Sequence, residues 1–175
     1  MNGETRLLES PHLRLEPFTA SYISDAYVGW LNDPDVVRYS ELRHRNHSRD
    51  DAEAYVRSFN NRTAHLWAIV GKDAVHIGNI SAHRDTANAT ADIGILIGAR
   101  GDHGQGYGTE AWQAVCTWLF DTGIRKITAG TMAANLPMRR VFEKCGMHVE
   151  GIRKAQFLFD GRPEDLVQVA LFRTP

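Results

Sequence analysis

The sequence predicts an α+β fold in which helices flank a mixed, mostly antiparallel central sheet. The first reason is the order of predicted elements: a strand, two helices, a run of strands, then a helix, a strand, a helix and two strands. The second reason is that short polar turns separate the strands of the central run, which is typical of an antiparallel meander. No linker, repeat or low-complexity segment interrupts residues 1–175, so we expect a single domain.

The first part of the chain is predicted to contain one strand and two helices. Residues 13–18 alternate between apolar and polar side chains, as a strand does. Apolar residues recur with helical spacing after Ile23 and indicate an amphipathic helix over Ser21–Asn32. A second helix is predicted to begin at Ser48, whose hydroxyl is placed to form a capping box with Asp51.

The rest of the chain is predicted to supply most of the sheet. Strands are expected at Leu66–Val70, Val75–Ala82, Ala91–Ile97, Lys126–Met132, Val149–Phe159 and Leu166–Arg173. Two helices, Gly106–Asp121 and Leu136–Lys144, are expected to end at the glycines Gly123 and Gly146. The strand ending at Ile97 is apolar on both faces, so we expect it in the centre of the sheet.

Charge and composition disfavour several classes of protein. The net charge of -1 argues against a general nucleic-acid binder, and no apolar run approaches the ~20 residues of a membrane helix. We expect no signal peptide, and Cys116 and Cys145 are most simply reduced thiols of a cytoplasmic protein. Only His44 and His47 lie close together, without a cysteine or acidic partner at ligand spacing, so we expect no metal site.

A glycine-rich segment follows the central strand directly. Residues 103–109 read HGQGYGT, with glycines at alternate positions where a helix is predicted to begin. Bare backbone N–H groups and the helix dipole favour phosphate at such a corner. The segment lacks the lysine of a triphosphate-binding loop and the glycine spacing of the dinucleotide fingerprint. Taken alone, it predicts either a phosphate site of another kind or a flexible loop.

A second segment, Asn135–Met147, begins 27 residues after Gly108. The two segments closely resemble the cofactor motifs of the GNAT superfamily of N-acetyltransferases: a loop of the form R/Q-x-x-G-x-G/A, then an asparagine-initiated helix ending in E-K-x-G-F/M. The resemblance covers nearly the whole chain and implies the GNAT fold with acetyl-CoA as co-substrate. Residues 13–15, 77–80 and 91–94 also resemble ribosomal-protein N-terminal acetyltransferases. Residues 30–36 resemble amino-sugar acetyltransferases.

The resemblance implies a cofactor site, residue by residue. The backbone of the central strand would hold the pantetheine arm, the glycine-rich loop the pyrophosphate, the Asn135 amide the cofactor, and Phe142 would lie near the thiol. The positions concerned are Ile95, Leu96, Ile97, His103, Gly104, Gln105, Gly106, Tyr107, Gly108, Thr109, Asn135 and Phe142.

Three residues depart from the family pattern. His103 replaces an arginine or glutamine, so we expect phosphate binding to tighten as the pH falls toward about 6.5. Phe142 occupies the position of a common tyrosine general acid, and Met138 that of a serine frequent in the N-terminal branch. The source of the proton for the leaving thiolate therefore stays open, and a non-catalytic acyl-CoA-binding sensor remains an alternative.

An amine must lose a proton before it attacks a thioester, and three residues are candidate general bases: Asp92, Glu110 and His83. Each also has a structural explanation. Asp92 is near a strand end, Glu110 favours the first turn of its helix through the dipole, and His83 is compatible with a surface position.

By the same resemblance, the acceptor pocket is expected at the first two helices and their connection. Tyr39 and Trp67 are candidates for stacking on a ring, and Arg43, with Arg38 and Arg45, for binding an acidic or phosphorylated group. The preferred acceptor is a small primary amine, with a nucleotide-linked amino sugar as the finer hypothesis. The alternative enzyme is a protein N-terminal or lysine acetyltransferase. The apolar final strands are also compatible with pairing across a homodimer.

Overall fold

A computed structural model describes residues 4–71, 73–99, 101 and 104–173, and within these residues eight strands form one sheet. The strands are β1 (Leu8–Glu9), β2 (Leu13–Pro17), β3 (Ala64–Gly71), β4 (His76–Asp85), β5 (Thr90–Ile97), β6 (Lys126–Met132), β7 (His148–Phe159) and β8 (Arg162–Phe172). Their order across the sheet is β1-β2-β3-β4-β5-β6-β8-β7. The α+β prediction is therefore confirmed, and β5 lies in the interior of the sheet as expected.

Four α-helices connect and cover these strands in the described part of the chain. They are α1 (Asp25–Asn32), α2 (Arg49–Arg57), α3 (Tyr107–Asp121) and α4 (Leu136–Lys144), with short 3-10 turns at Ala20–Tyr22 and Glu41–His44. The capping box at Ser48 is present. None of the described helices is long and apolar enough to cross a membrane.

The first helix differs from its sequence prediction. The segment predicted to be helical from Ser21 opens as a 3-10 turn and breaks at Ile23. The α-helix starts only at Asp25, because the Ser24 hydroxyl caps it by accepting from the Tyr27 N–H at 3.1 Å. The short edge strand β1 was not predicted, since two residues carry no periodicity.

Strands β5 and β6 are parallel and pair over only three positions. The register joins Thr90–Asp92 to Lys126–Thr128. By contrast, the antiparallel pairing with β4 runs along all of β5, and the antiparallel pairing with β8 runs along all of β6. Beyond Asp92 the two central strands have no further register pairs, and a gap lies between them. Helix α3 makes the crossover that a parallel pair requires.

The two faces of the sheet are covered differently. On one face α3 and α4 bury a large core that includes Trp67, Trp112 and Trp118. On the other face α1 and α2 bury a smaller cluster around Tyr27 and Leu31. Below, these are the α3 face and the α1–α2 face.

Gly98, directly after β5, sets the distance between the central strand and α1. A Cβ atom there would lie 1.9 Å from the ring of Trp30 on α1. We expect Gly98→Ala to lower the free energy of unfolding by about 1–3 kcal/mol, because the helix must shift to admit the methyl group. Denaturant unfolding measures this.

Gly29→Ala is the matched control for Gly98→Ala, since it lies on α1 and a Cβ atom there meets nothing within 4 Å. It should stabilise the protein by about 0.5–1 kcal/mol, as an alanine does inside a helix. Equal stability of Gly98→Ala and wild type would show that the Trp30 contact does not set this distance.

Candidate active site

The gap between β5 and β6 presents backbone groups of the central strand. The Gly98 N–H donates to the Ile77 carbonyl on β4 at 2.9 Å. Because backbone groups alternate in direction along a strand, those of Leu96 point to β4 and those of Ile95 point into the gap. The side chains alternate too: Leu96 packs on the α1–α2 face, and Ile95 and Ile97 pack on the α3 face. The three residues predicted together for the pantetheine arm thus face different directions.

The glycine-rich corner adopts backbone conformations that suit glycine. Gly104 has a φ of 82° and Gly106 a φ of 85°, and a Cβ atom at either would meet nothing within 4 Å. Gly106 is the N-cap of α3, and no side chain caps this helix of 15 residues. Its first N–H groups therefore have no partners within the helix. Gln105, Tyr107, Gly108 and Thr109 belong to the same corner, whereas His103 lies outside the described residues.

Asn135 begins helix α4 and makes two local hydrogen bonds. Its Oδ1 accepts from the Met138 N–H at 3.2 Å, and its Nδ2 donates to Thr131 Oγ1 at 2.9 Å. An amide carries two N–H groups, so the threonine contact uses one of them.

Phe142 lies in the core between α3 and α4. Its side chain is buried, and its ring centroid is 5.5 Å from that of Trp112 in an edge-to-face contact. A tyrosine hydroxyl at this position would need a hydrogen-bond partner.

Asp92 lies where the gap begins. Its carboxylate accepts from Thr128 Oγ1 on β6 at 2.9 Å, and its register partner on β4 is His83. Although the residue lies at the sheet surface, burial of the carboxyl group raises its pKa, and the Thr128 hydrogen bond and the charge of His83 offset this only in part. A raised pKa brings a carboxylate closer to the range in which a general base is effective. The exposed His83 ring is 5.4 Å from that of Phe59.

Glu110 lies on α3, which covers the opposite face of the sheet. It accepts from the His12 backbone N–H at 2.7 Å and lies 3.0 Å from His12 Nδ1. Burial raises the pKa of Glu110, but hydrogen bonds from Ser10 and His12 outweigh it, and the net pKa is lowered. This contact ties the start of β2 to α3 and makes Glu110 a weaker base than Asp92.

A Glu110→Gln substitution separates the structural role from a catalytic one. We expect turnover to stay within about twofold of wild type, and the free energy of unfolding near neutral pH to fall by about 1 kcal/mol. Because the folded-state pKa is lowered, the carboxylate stabilises the fold above its ordinary pKa, and this contribution is lost as the pH falls through the folded pKa. The variant and the wild type should therefore converge in acid.

The exposed Glu143 on α4 provides a control, since Glu143→Gln should change neither turnover nor stability. A large loss of turnover in Glu110→Gln, with unchanged stability, would restore Glu110 as the base.

A cavity of about 300 Å³ lies between helices α1 and α2 and the β4–β5 surface. Its floor on the sheet is formed by Asn79, Ser81 and residues 94–96, so it borders the central strand on the side away from the α3 face. The helices and their connection complete the wall with Tyr27, Leu31, Ser40, Leu42, Arg45, His47, Asp51, Ala52 and Tyr55. We call this cavity the acceptor pocket.

The sequence did not single out the polar floor of this pocket. Asn79 and Ser81 are polar residues at alternate positions of β4, within residues 77–82, which are all buried. Polar residues at these alternate positions were the sequence signal that could have indicated a polar pocket floor.

An open cleft of about 760 Å³ adjoins the pocket at the connection between α1 and α2 and the β7–β8 turn. Its wall includes Arg38, Arg43 and Arg45. Tyr39 stacks on Phe159 with ring centroids 5.3 Å apart beside this cleft. The cleft therefore brings cationic side chains next to the pocket.

Arg43 and Trp67, both predicted to contact substrate, have other partners. The Arg43 guanidinium donates to the carbonyls of Ser40 at 2.8 Å and Leu158 at 3.0 Å, and joins the 3-10 turn to β7. Trp67 is fully buried on the α3 face, where its Nε1–H donates to the Arg6 carbonyl at 2.8 Å. The predicted stacking of Trp67 on a substrate ring is corrected accordingly, since its ring has no accessible face.

Among the described residues, no three or more histidine, cysteine, aspartate or glutamate side chains are grouped as metal ligands would be.

The acetyltransferase (GNAT) domain family matches residues 12–148, and the chain belongs to this family. A probable N-acetyltransferase of Bacillus subtilis, YjcK, is 34% identical over 104 residues. That match spans 58% of this chain and 57% of YjcK, little more than half of each.

Solved structures share the fold at lower identity. RimL, a ribosomal alpha-N-protein acetyltransferase in complex with coenzyme A, superposes with a TM-score of 0.85 at 18% identity, over 95% of this chain and 98% of its own. Spermidine N-acetyltransferase from Vibrio cholerae, in complex with CoA and spermine, gives a TM-score of 0.82 at 17% identity, over 93% of this chain and 96% of its own.

Proposed function

We propose that this chain transfers the acetyl group of acetyl-CoA to a primary amine of a small molecule. One observation carries the proposal: the strand that borders the β5–β6 gap also forms part of the floor of the acceptor pocket. A thioester held in the gap and an amine held in the pocket would meet at this strand. Membership of the acetyltransferase family supports this reading.

Mainly backbone groups of the protein bind the cofactor. The N–H groups of the corner around Gly104 and Gly106 hold the pyrophosphate at the N-terminus of α3. The pantetheine arm lies in the gap against the Ile95 backbone, with Asn135 at its other side. The fold relatives crystallised with coenzyme A support this placement.

In the reaction, the amine attacks the thioester of acetyl-CoA directly. The amine gives a proton to Asp92, directly or through one water, and its nitrogen forms a bond to the thioester carbon. A backbone N–H of β5 stabilises the oxyanion, and the C–S bond then breaks. A thiol with a pKa of about 8.5 leaves readily as a thiolate and takes its proton from water, so neither Phe142 nor Met138 needs to donate one.

The acceptor class follows from the open cleft. Arg38 and Arg45 lie on its wall beside the pocket, where they pair with Asp160 at 3.9 Å and Asp51 at 3.2 Å. Both arginines are exposed, and guanidinium groups bind phosphate and carboxylate well, so an anionic substrate can compete for them. An amine with an anionic extension fits this arrangement, and a nucleotide-linked amino sugar is the finer hypothesis.

A thiol-release assay with acetyl-CoA and a panel of amines tests the function. The panel holds a nucleotide-linked amino sugar, the free amino sugar, spermidine and a peptide with a free N-terminus. We expect the highest kcat/KM with the nucleotide-linked amino sugar. Preference for the peptide would favour a protein N-terminal acetyltransferase. Tight acetyl-CoA binding without thiol release for any amine would favour the sensor.

A further inference from the structure

Asn79 is a buried polar residue at the floor of the acceptor pocket. It lies on β4 with an exposed fraction of 6%, opposite Leu96 on the central strand. Its Oδ1 is shielded from solvent and has no hydrogen-bond partner among the described residues. Buried carbonyl oxygens are nearly always hydrogen-bonded, because leaving one unpaired costs its full desolvation. The Asn79 carbonyl therefore requires a donor at the pocket floor.

The other polar groups near Asn79 either have hydrogen-bond or ion-pair partners or carry no charge. Ser81 Oγ donates to the Gly94 carbonyl at 3.4 Å. The charged side chains of the pocket, Arg45 and Asp51, pair with each other at 3.2 Å, the arginine with 65% of its side chain exposed. The floor is thus uncharged, and Asn79 is its unpaired acceptor.

The register shows how far Asn79 lies from the reacting atoms. The pairs Asn79–Leu96, Ser81–Gly94 and His83–Asp92 follow one another along β4 and β5. Each step of two residues is about 7 Å. Gly94 lines the pocket and has no side chain, and Asp92 lies two residues away from it on the same face of β5. A nitrogen beside Gly94 is within reach of Asp92 through one water, and a group a few bonds further away reaches Asn79.

We propose that Asn79 is a substrate-orienting residue whose side-chain carbonyl accepts a hydrogen bond from an N–H or O–H group of the acceptor, a few bonds from the reacting nitrogen. This inference rests on the proposed function and narrows the substrate class to amines with such a second donor. A neutral carbonyl also orients the molecule without adding a negative charge, which would stabilise the unreactive ammonium form.

Asn79→Leu removes the carbonyl and nearly preserves the shape of the side chain. We expect the KM for the preferred amine to rise about tenfold, the loss of one neutral hydrogen bond, with an unchanged KM for acetyl-CoA. The melting temperature of the free protein should equal or exceed that of wild type, because an unpaired buried acceptor has been removed. A residue with only a structural role would give a lower melting temperature.

Ile80→Val is the matched control on the same strand. Ile80 is fully buried on the α3 face, so this variant should melt at a lower temperature and keep the wild-type KM for the amine. The two substitutions thus have different expected effects on each measurement: only Asn79→Leu should raise the KM for the amine, and only Ile80→Val should lower the melting temperature.

Two results would overturn the inference: a wild-type amine KM in Asn79→Leu, or a clear fall in its melting temperature. Failure of the proposed function is recognised separately, as absence of thiol release by the wild type with every amine. In that case the same panel is tested by thermal shift. An amine that raises the melting temperature of wild type and not of Asn79→Leu supports the Asn79 contact, and equal shifts in both proteins refute it.

Discussion

Replacing Gly106 by aspartate should weaken acetyl-CoA binding about 100-fold. The residue caps the N-terminus of α3 with a φ of 85°, and its Cβ position is open. A carboxylate there would face the pyrophosphate at roughly 5 Å, where like charges repel by about 3 kcal/mol at an effective dielectric constant near 20. Isothermal titration with CoA measures the loss.

Gly123→Asp is the control at the other end of the same helix. Gly123 has a φ of 96°, and a Cβ atom there also meets nothing within 4 Å. Both variants place a non-glycine residue in the left-handed region, at a cost of about 1–2 kcal/mol of stability. Only Gly106→Asp should lose CoA affinity. Equal CoA affinities in the two variants would mean that the pyrophosphate is bound elsewhere.

Asp92→Asn should lower kcat about 100-fold, the typical contribution of a general base, with little change in the KM for acetyl-CoA. The amide oxygen still accepts from Thr128, so the variant is expected to fold. In wild type, the rate should fall in acid as Asp92 becomes protonated, at a pH above the ordinary aspartate value because burial raises this pKa. The variant should lack that acid limb.

The pH dependence of protein stability provides a second test of the Asp92 pKa. Its folded-state pKa lies above its unfolded value, so its contribution to stability is fully present below the unfolded pKa and is lost as the pH rises through the folded pKa. Above that window Asp92→Asn should be the more stable protein. Wild-type kcat in Asp92→Asn would remove Asp92 from the mechanism.

The parts of the fold that local patterns encode were predictable. Helix α3 and its terminal glycines, Gly106 and Gly123, follow from helical spacing and from the conformational freedom of glycine. The β5–β6 gap was not predictable from spacing, because it depends on register between strands that α3 separates in the chain. The orientation of Trp67 was missed for a similar reason, since an aromatic residue in a strand fits either face until the partner strands are known.

The candidate site likewise has one part that the sequence predicts and another that it does not. Most of its cofactor end is continuous in sequence, from Ile95 through the glycine-rich corner, and Asn135 begins a second motif 27 residues after Gly108, so motif and chemistry identify this end together. The acceptor pocket is assembled from α1, α2, the connection between them, β4 and β5. Asn79 and Tyr55 lie far apart in the chain and come together only when α2 packs on β4.

A crystal structure with CoA and the preferred amine bound together would locate both substrates in the site. We expect the pyrophosphate on backbone N–H groups between Gly104 and Thr109, the pantetheine arm between β5 and β6, and the amine nitrogen beside Gly94. Cofactor bound away from the gap, or an amine that reaches the thioester without entering the acceptor pocket, would contradict this expectation.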